Sequence, residues 1–138
     1  PLNALDIQTL SRAQWGALWL EGYALYKLGH EHEPDAPLQA GDLARLTLFW
    51  RKGEQGPVGE SFEVALRDAR GQRAWSQSLA VVGGLFPPQE WYQGERVRDI
   101  QILALPHDLR PGTYRLTLRP VGWGDGQEHV VTRVAIKP

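Results

Sequence analysis

Apolar and polar residues alternate in steps of two along most of this chain, and that period constrains the fold more than any other feature. The segment 113–119 (TYRLTLR) is the plainest instance. Tyr114, Leu116 and Leu118 share one face, and Thr113, Arg115, Thr117 and Arg119 share the other. Successive side chains of a β-strand point to opposite faces, so this pattern describes a strand with one buried and one wet face. Residues 43–50 read the same way, with Leu46, Leu48 and Trp50 inward and Arg45, Thr47 and Phe49 outward. So do residues 62–67, with Phe62, Val64 and Leu66 against Glu63, Ala65 and Arg67. At 130–136 the period predicts Val130, Thr132, Val134 and Ile136 on one face and Val131, Arg133 and Ala135 on the other.

Four more strands are predicted at 4–10, 17–28, 73–82 and 96–105. The segment 17–28 (ALWLEGYALYKL) would also suit a buried helix. Gly22 and the Tyr and Trp content favour a strand with a bulge at Gly22. Within 73–82, Trp75 is expected to open an inward set with Gln77, Leu79 and Val81. Turn residues separate the runs. Asp68-Ala69-Arg70-Gly71 reads as a tight hairpin turn, and 53–59 (GEQGPVG) as a flexible loop. Residues 106–109 are expected to make one helical turn, and 122–126 (GWGDG) a loop presenting Trp123. Two long loops, 29–41 and 83–95, carry no helical pattern, and loops of that length often hold binding residues. No internal repeat of a solenoid or propeller is visible. The expected fold is all-β, an antiparallel two-sheet sandwich, immunoglobulin-like or jelly-roll, of about eight strands in one domain over residues 1–138.

Composition narrows the function classes. The 138 residues contain no Cys, which removes disulfides, thiol catalysis and thiolate metal sites. A net charge of −1 gives no bulk basic field for nucleic acid. No apolar run is long enough to span a bilayer as a helix. The chain begins at Pro1 with no Met, as expected of a processed form or a piece of a longer protein. Six Trp keep ligand stacking open.

Each candidate group has a plain reading beside a functional one. Trp50 lies on an apolar strand face and is expected in the core. Trp15 and Trp19 sit near the start, with Trp19 opposite Leu18 and Leu20. Trp91, Tyr92 and Trp123 fall in loops, where a ring either plugs an end of the sandwich or stacks on the apolar face of a sugar. His30-Glu31-His32-Glu33 has the i, i+2 histidines that an extended loop could turn toward a metal, but a hydrated charged loop explains it as well. Glu21, Glu63 and Asp99 could be written into a glycosidase pair, as carboxylates in most proteins could. Asp99 is better read as tying down a loop through backbone hydrogen bonds, or as pairing with Arg96 or Arg98. Arg45, Arg67, Arg115, Arg119 and Arg133 fall on wet faces, with Glu63 available to balance them. No nucleophile elbow, zincin or phosphate-loop motif is present.

Several stretches together resemble a known family. They are Leu20-Glu21-Gly22-Tyr23, then Gly41-Asp42 leading into Leu46-Thr47-Leu48-Phe49-Trp50-Arg51, then Leu66-Arg67-Asp68 with Gly71. Trp91, Gly94-Glu95 and Asp99 follow, then Leu105-Pro106 and Pro111-Gly112-Thr113-Tyr114-Arg115-Leu116. In this order they resemble the extracytoplasmic β-sandwich domain at the C-terminal end of some bacterial membrane glycosyltransferases of the protein mannosyltransferase type, over roughly residues 18 to 118. Where that family commonly has Asp and Pro soon after the hairpin, this chain has Ser76-Gln77-Ser78-Leu79. The resemblance implies a non-catalytic accessory or interaction domain of a larger cell-surface or membrane protein, placed outside the cytoplasm, with any transferase chemistry elsewhere. The alternative expectation is a stand-alone carbohydrate-binding module using Trp91, Tyr92 and Trp123. A weaker one is a small metal-dependent enzyme built on His30 and His32. No cofactor is expected, and the expected partner is a glycan or another domain of the same protein.

Overall fold

The structure, a computed structural model, describes residues 8–138. Among them nine strands form two sheets. The strands are β1 (Thr9–Trp15), β2 (Leu18–Lys27), β3 (Leu38–Gln39), β4 (Leu43–Lys52), β5 (Ser61–Arg67), β6 (Arg73–Ala80), β7 (Arg96–Ala104), β8 (Gly112–Pro120) and β9 (His129–Lys137). One sheet has the order β1-β2-β4-β7 and the other β3-β9-β8-β5-β6. Every pairing is antiparallel except that of β3 with β9. With β2, β4 and β7 as strands A, B and E, and β9, β8, β5 and β6 as G, F, C and C′, the order is immunoglobulin-like. Tyr114 near the start of β8 donates its hydroxyl to the Arg110 carbonyl at 2.6 Å, the tyrosine corner of that architecture.

The core is the alternating set. Leu46, Leu48 and Trp50 of β4 meet Phe62, Val64 and Leu66 of β5 and Leu116 and Leu118 of β8, all essentially without exposed surface. The rings of Trp15 and Trp50 each lie 5.2 Å from that of Phe62. Such offset and edge contacts add to the area that the rings bury.

Several sequence-based expectations shift in detail. The strand expected at 4–10 coincides with β1 (Thr9–Trp15) only at residues 9 and 10, and β1 runs on through 11–15, where no strand was expected; residues 4–7 lie outside the described residues. The loop 29–41 contains β3, which at two residues is too short to show a period. In β2 the bulge falls at Glu21, not at Gly22, because Leu20 pairs with Trp50 and Gly22 with Phe49. The extra residue turns Tyr23 inward, where its hydroxyl meets Thr132 Oγ1 of the other sheet at 2.7 Å. A second bulge interrupts β9, since Leu116 pairs with Thr132 and Thr117 with Val130. Val131 is therefore buried and Val130 exposed, opposite to a strict period of two. The run expected to reach residue 82 ends at Ala80, and Val81–Gly84 makes a tight 3-10 turn with Val82 at φ 51°. Trp75 is only partly buried and packs against the core's margin.

Candidate functional site

The loops 53–60, 81–95 and 121–128 meet at one end of the sandwich and carry Trp91, Tyr92 and Trp123. These correspond to the B–C, C′–E and F–G loops, the end that variable immunoglobulin domains use for recognition. Trp123 lies in the last loop. Its indole donates to the Ser61 carbonyl at 3.0 Å and stands edge-on to Phe62 at 5.5 Å. The ring lies flat against Gly59, where a Cβ would stand 2.3 Å from the indole, so only glycine lets it seat there. Trp123 thus continues the core outward and stays half-buried.

Trp91 is placed differently. It is 4% exposed, its indole donates to the Phe86 carbonyl at 3.0 Å, and its ring lies 5.8 Å from that of Phe86. Lys52 Nζ reaches the carbonyls of Pro88 at 2.8 Å and Trp91 at 3.1 Å, which fastens the loop over β4. Trp91 therefore fills the end of the sandwich, the plug of the two readings open to it. Its neighbour Tyr92 is 83% exposed, on a turn closed by the Glu95 carboxylate accepting from the Tyr92 amide at 2.8 Å.

Beside this loop end, the outer face of the four-stranded sheet holds a groove that sequence reasoning missed. Register places Trp19, Arg51 and Arg96 side by side across β2, β4 and β7. The Arg51 guanidinium sits 5.1 Å from the centre of the Trp19 ring. Glu21, on the same outward face as Trp19, accepts from Arg51 at 3.1 Å and from Arg96 at 3.2 Å. Two shallow depressions meet at Trp19 and Arg51, one lined by Gln14, Gly53, Glu54 and Gln55 and the other by Arg12, Glu21 and Arg96. Gly53 forms part of the floor, where a Cβ would meet Trp19 Nε1 at 2.5 Å. The result is a partly exposed indole that carries the Arg51 guanidinium over one face and has a fixed carboxylate and amide groups around it. An apolar plate ringed by fixed donors and acceptors can hold a ligand that is itself flat on one side and hydroxylated at its edge. The signal available in the sequence was Trp19 itself, an aromatic on the face opposite Leu18 and Leu20.

Comparison with known proteins adds a likeness among solved structures. Among solved structures the chain is similar to the crystal structure of the C-terminal domain of wzt. The identity is 15% and the TM-score 0.48, over 94% of this chain and 75% of that one. That neighbour is a C-terminal domain, of wzt and not of a mannosyltransferase. No family model and no curated protein matches the chain.

The remaining candidates have structural roles. Asp99 has no exposed surface and accepts from Trp50 Nε1 at 3.0 Å, from Gln101 Nε2 at 2.9 Å and from the backbone amide of Val82. Burial pushes its carboxyl above the usual carboxylate range, and these three hydrogen bonds oppose that shift. It ties down the turn after β6, as a loop-fastening aspartate should. Glu63 bridges Arg73 at 2.6 Å and Arg119 at 3.2 Å on the other sheet. His30 lies 3.6 Å from Glu33 on an open loop, and among the described residues no three His, Asp or Glu side chains gather as metal ligands would. No described helix is long and apolar enough to cross a membrane.

Proposed function

We propose that this chain is a non-catalytic accessory domain whose partner is a glycan, held at the loop end and in the adjoining Trp19 groove. The observation that carries the reading is the groove itself. A partly exposed indole beside an Arg51–Glu21–Arg96 ion-pair set presents the mixture of apolar plate and fixed polar rim that a sugar ring needs. Tyr92 and Trp123 offer further aromatic surface on the neighbouring loops, and Trp91 braces the loop that carries Tyr92. The motif resemblance supports a finer placement, outside the cytoplasm and within a larger cell-surface or membrane glycosyltransferase-like protein. A stand-alone carbohydrate-binding module would use the same surface and differs only in what it is joined to.

A glycan array probed with the chain and its Trp19→Ala, Tyr92→Ala and Trp123→Ala variants tests the binding. Loss of one stacking ring should weaken a hit by about tenfold, the equivalent of about 1.4 kcal/mol. An array without hits, or hits that all three variants retain, would refute it. Trp91→Ala should instead lower stability, by roughly 3 kcal/mol or more, because a buried ring leaves a cavity. The wider placement is tested by the full-length gene product. Transmembrane helices upstream would support it, and a gene encoding only this domain with a cytoplasmic start would remove it.

A further inference from the structure

On the outer face of the five-stranded sheet, register aligns four arginines in one row across four strands. Arg73 of β6 pairs with Arg67 of β5, Arg67 with Arg115 of β8, and Arg115 with Arg133 of β9. Like charges directly opposite one another on neighbouring strands repel, their Cβ atoms being about 5 Å apart. Two of the four are neutralised within the fold. Arg67 meets both oxygens of Glu128, at 2.8 and 3.0 Å, and also donates to the Gly71 carbonyl. Arg73 meets Glu63 at 2.6 Å. Arg115 and Arg133 are both exposed, and neither side chain bonds to any described residue, although the chain carries 16 acidic residues. The two line one shallow groove with Thr113, Tyr114 and the Asp68 turn. The one carboxylate there faces inward to its own turn, with Asp68 Oδ1 accepting the amides of Arg70 and Gln72 at 2.9 Å each.

From this placement we infer an oxyanion site, with Arg115 and Arg133 as its ligands and a carboxylate or phosphate group as its occupant. Two guanidinium forks on adjacent strands suit the paired oxygens of such a group, and binding it removes their mutual repulsion. The Thr113 hydroxyl on the next outward position of β8 is a further donor at the groove's edge. The site lies on the opposite sheet from the Trp19 groove and does not depend on it. Its occupant's chemistry fits either an acidic polysaccharide or a free small anion.

Calorimetric titration of the full chain at low ionic strength separates these, using oligogalacturonate, inorganic phosphate and a neutral dextran oligomer as probes. Arg115→Gln and Arg133→Gln should each weaken binding of the acidic probe at least tenfold, while Arg98→Gln on the other sheet should change it less than twofold. Tight oligogalacturonate with weak phosphate marks a polymer as the source, and the reverse marks a free anion. In melting experiments without ligand, Arg133→Gln should melt no lower than the parent at low salt, and its melting point should no longer rise with the anion. No binding of either acidic probe, or equal weakening by Arg98→Gln, would overturn the assignment. Because Trp19→Ala should leave this site intact, its failure and that of the glycan groove are distinguishable.

Discussion

At Asp99 a carboxylate with no exposed surface accepts three hydrogen bonds, from Trp50, Gln101 and Val82, which join β4, β7 and the turn after β6. Removing it would orphan buried donors, each at a cost of roughly 1–3 kcal/mol. Asp99→Ala should therefore lower unfolding free energy by about 3 kcal/mol in urea, and a loss under about 1 kcal/mol would contradict that role. Burial raises its folded pKa above the unfolded value near 3.8, so its contribution declines as pH rises through that window. Glu128 has the opposite sign. Burial opposes its ionisation, but the Arg67 hydrogen bonds and charge outweigh that and hold its carboxyl below its ordinary 4.5. Its contribution is complete above that value and is lost as pH falls through the folded pKa. Glu128→Gln should cost up to about 1 kcal/mol at pH 6, and the difference from the parent should shrink as pH falls below 4.5 and through the lowered folded pKa.

At the scale of elements, the period of two placed β4, β5, β8 and β9 and most of their inward residues, while β1 lay further along the chain than expected and β3 was not expected at all. Leu46, Leu48, Trp50, Tyr114, Leu116 and Leu118 are all buried, as their alternation requires. What the period could not show is where it breaks. A bulge adds one residue and reverses every face beyond it, and nothing in VVTRVAI marks Val131 as the extra one. This yields a direct check. Val131→Thr should cost about 1–2 kcal/mol and Val130→Thr less than 0.5 kcal/mol, the reverse of what uninterrupted alternation implies. The turn at Val82 was equally hidden, because a β-branched residue at φ 51° gives no signal of its own and depends on Asp99, 17 positions away, to hold its amide. Val82→Gly should be within about 1 kcal/mol of the parent, since relief of backbone strain offsets the lost contacts, whereas Val81→Ala at a fully buried position should cost about 2 kcal/mol.

For the whole molecule, the two-sheet sandwich was legible in the sequence, and the candidate surface only partly so. Loop position alone grouped Trp91 with Trp123. The structure separates them, because Trp91's indole finds a carbonyl inside its own loop while Trp123 rests on Gly59 at the edge of the core. Trp19's face was legible, opposite Leu18 and Leu20; what stayed hidden is its company, because Arg51 and Arg96 are brought beside it by register between distant segments. The six Trp indoles give the account its sharpest test, because each N–H is a separate nuclear magnetic resonance signal. On titrating the array's strongest oligosaccharide into labelled protein, the Trp19 and Trp123 indole signals should shift while those of buried Trp15 and Trp50 stay in place. Binding that leaves Trp19 and Trp123 unmoved would contradict the proposed surface.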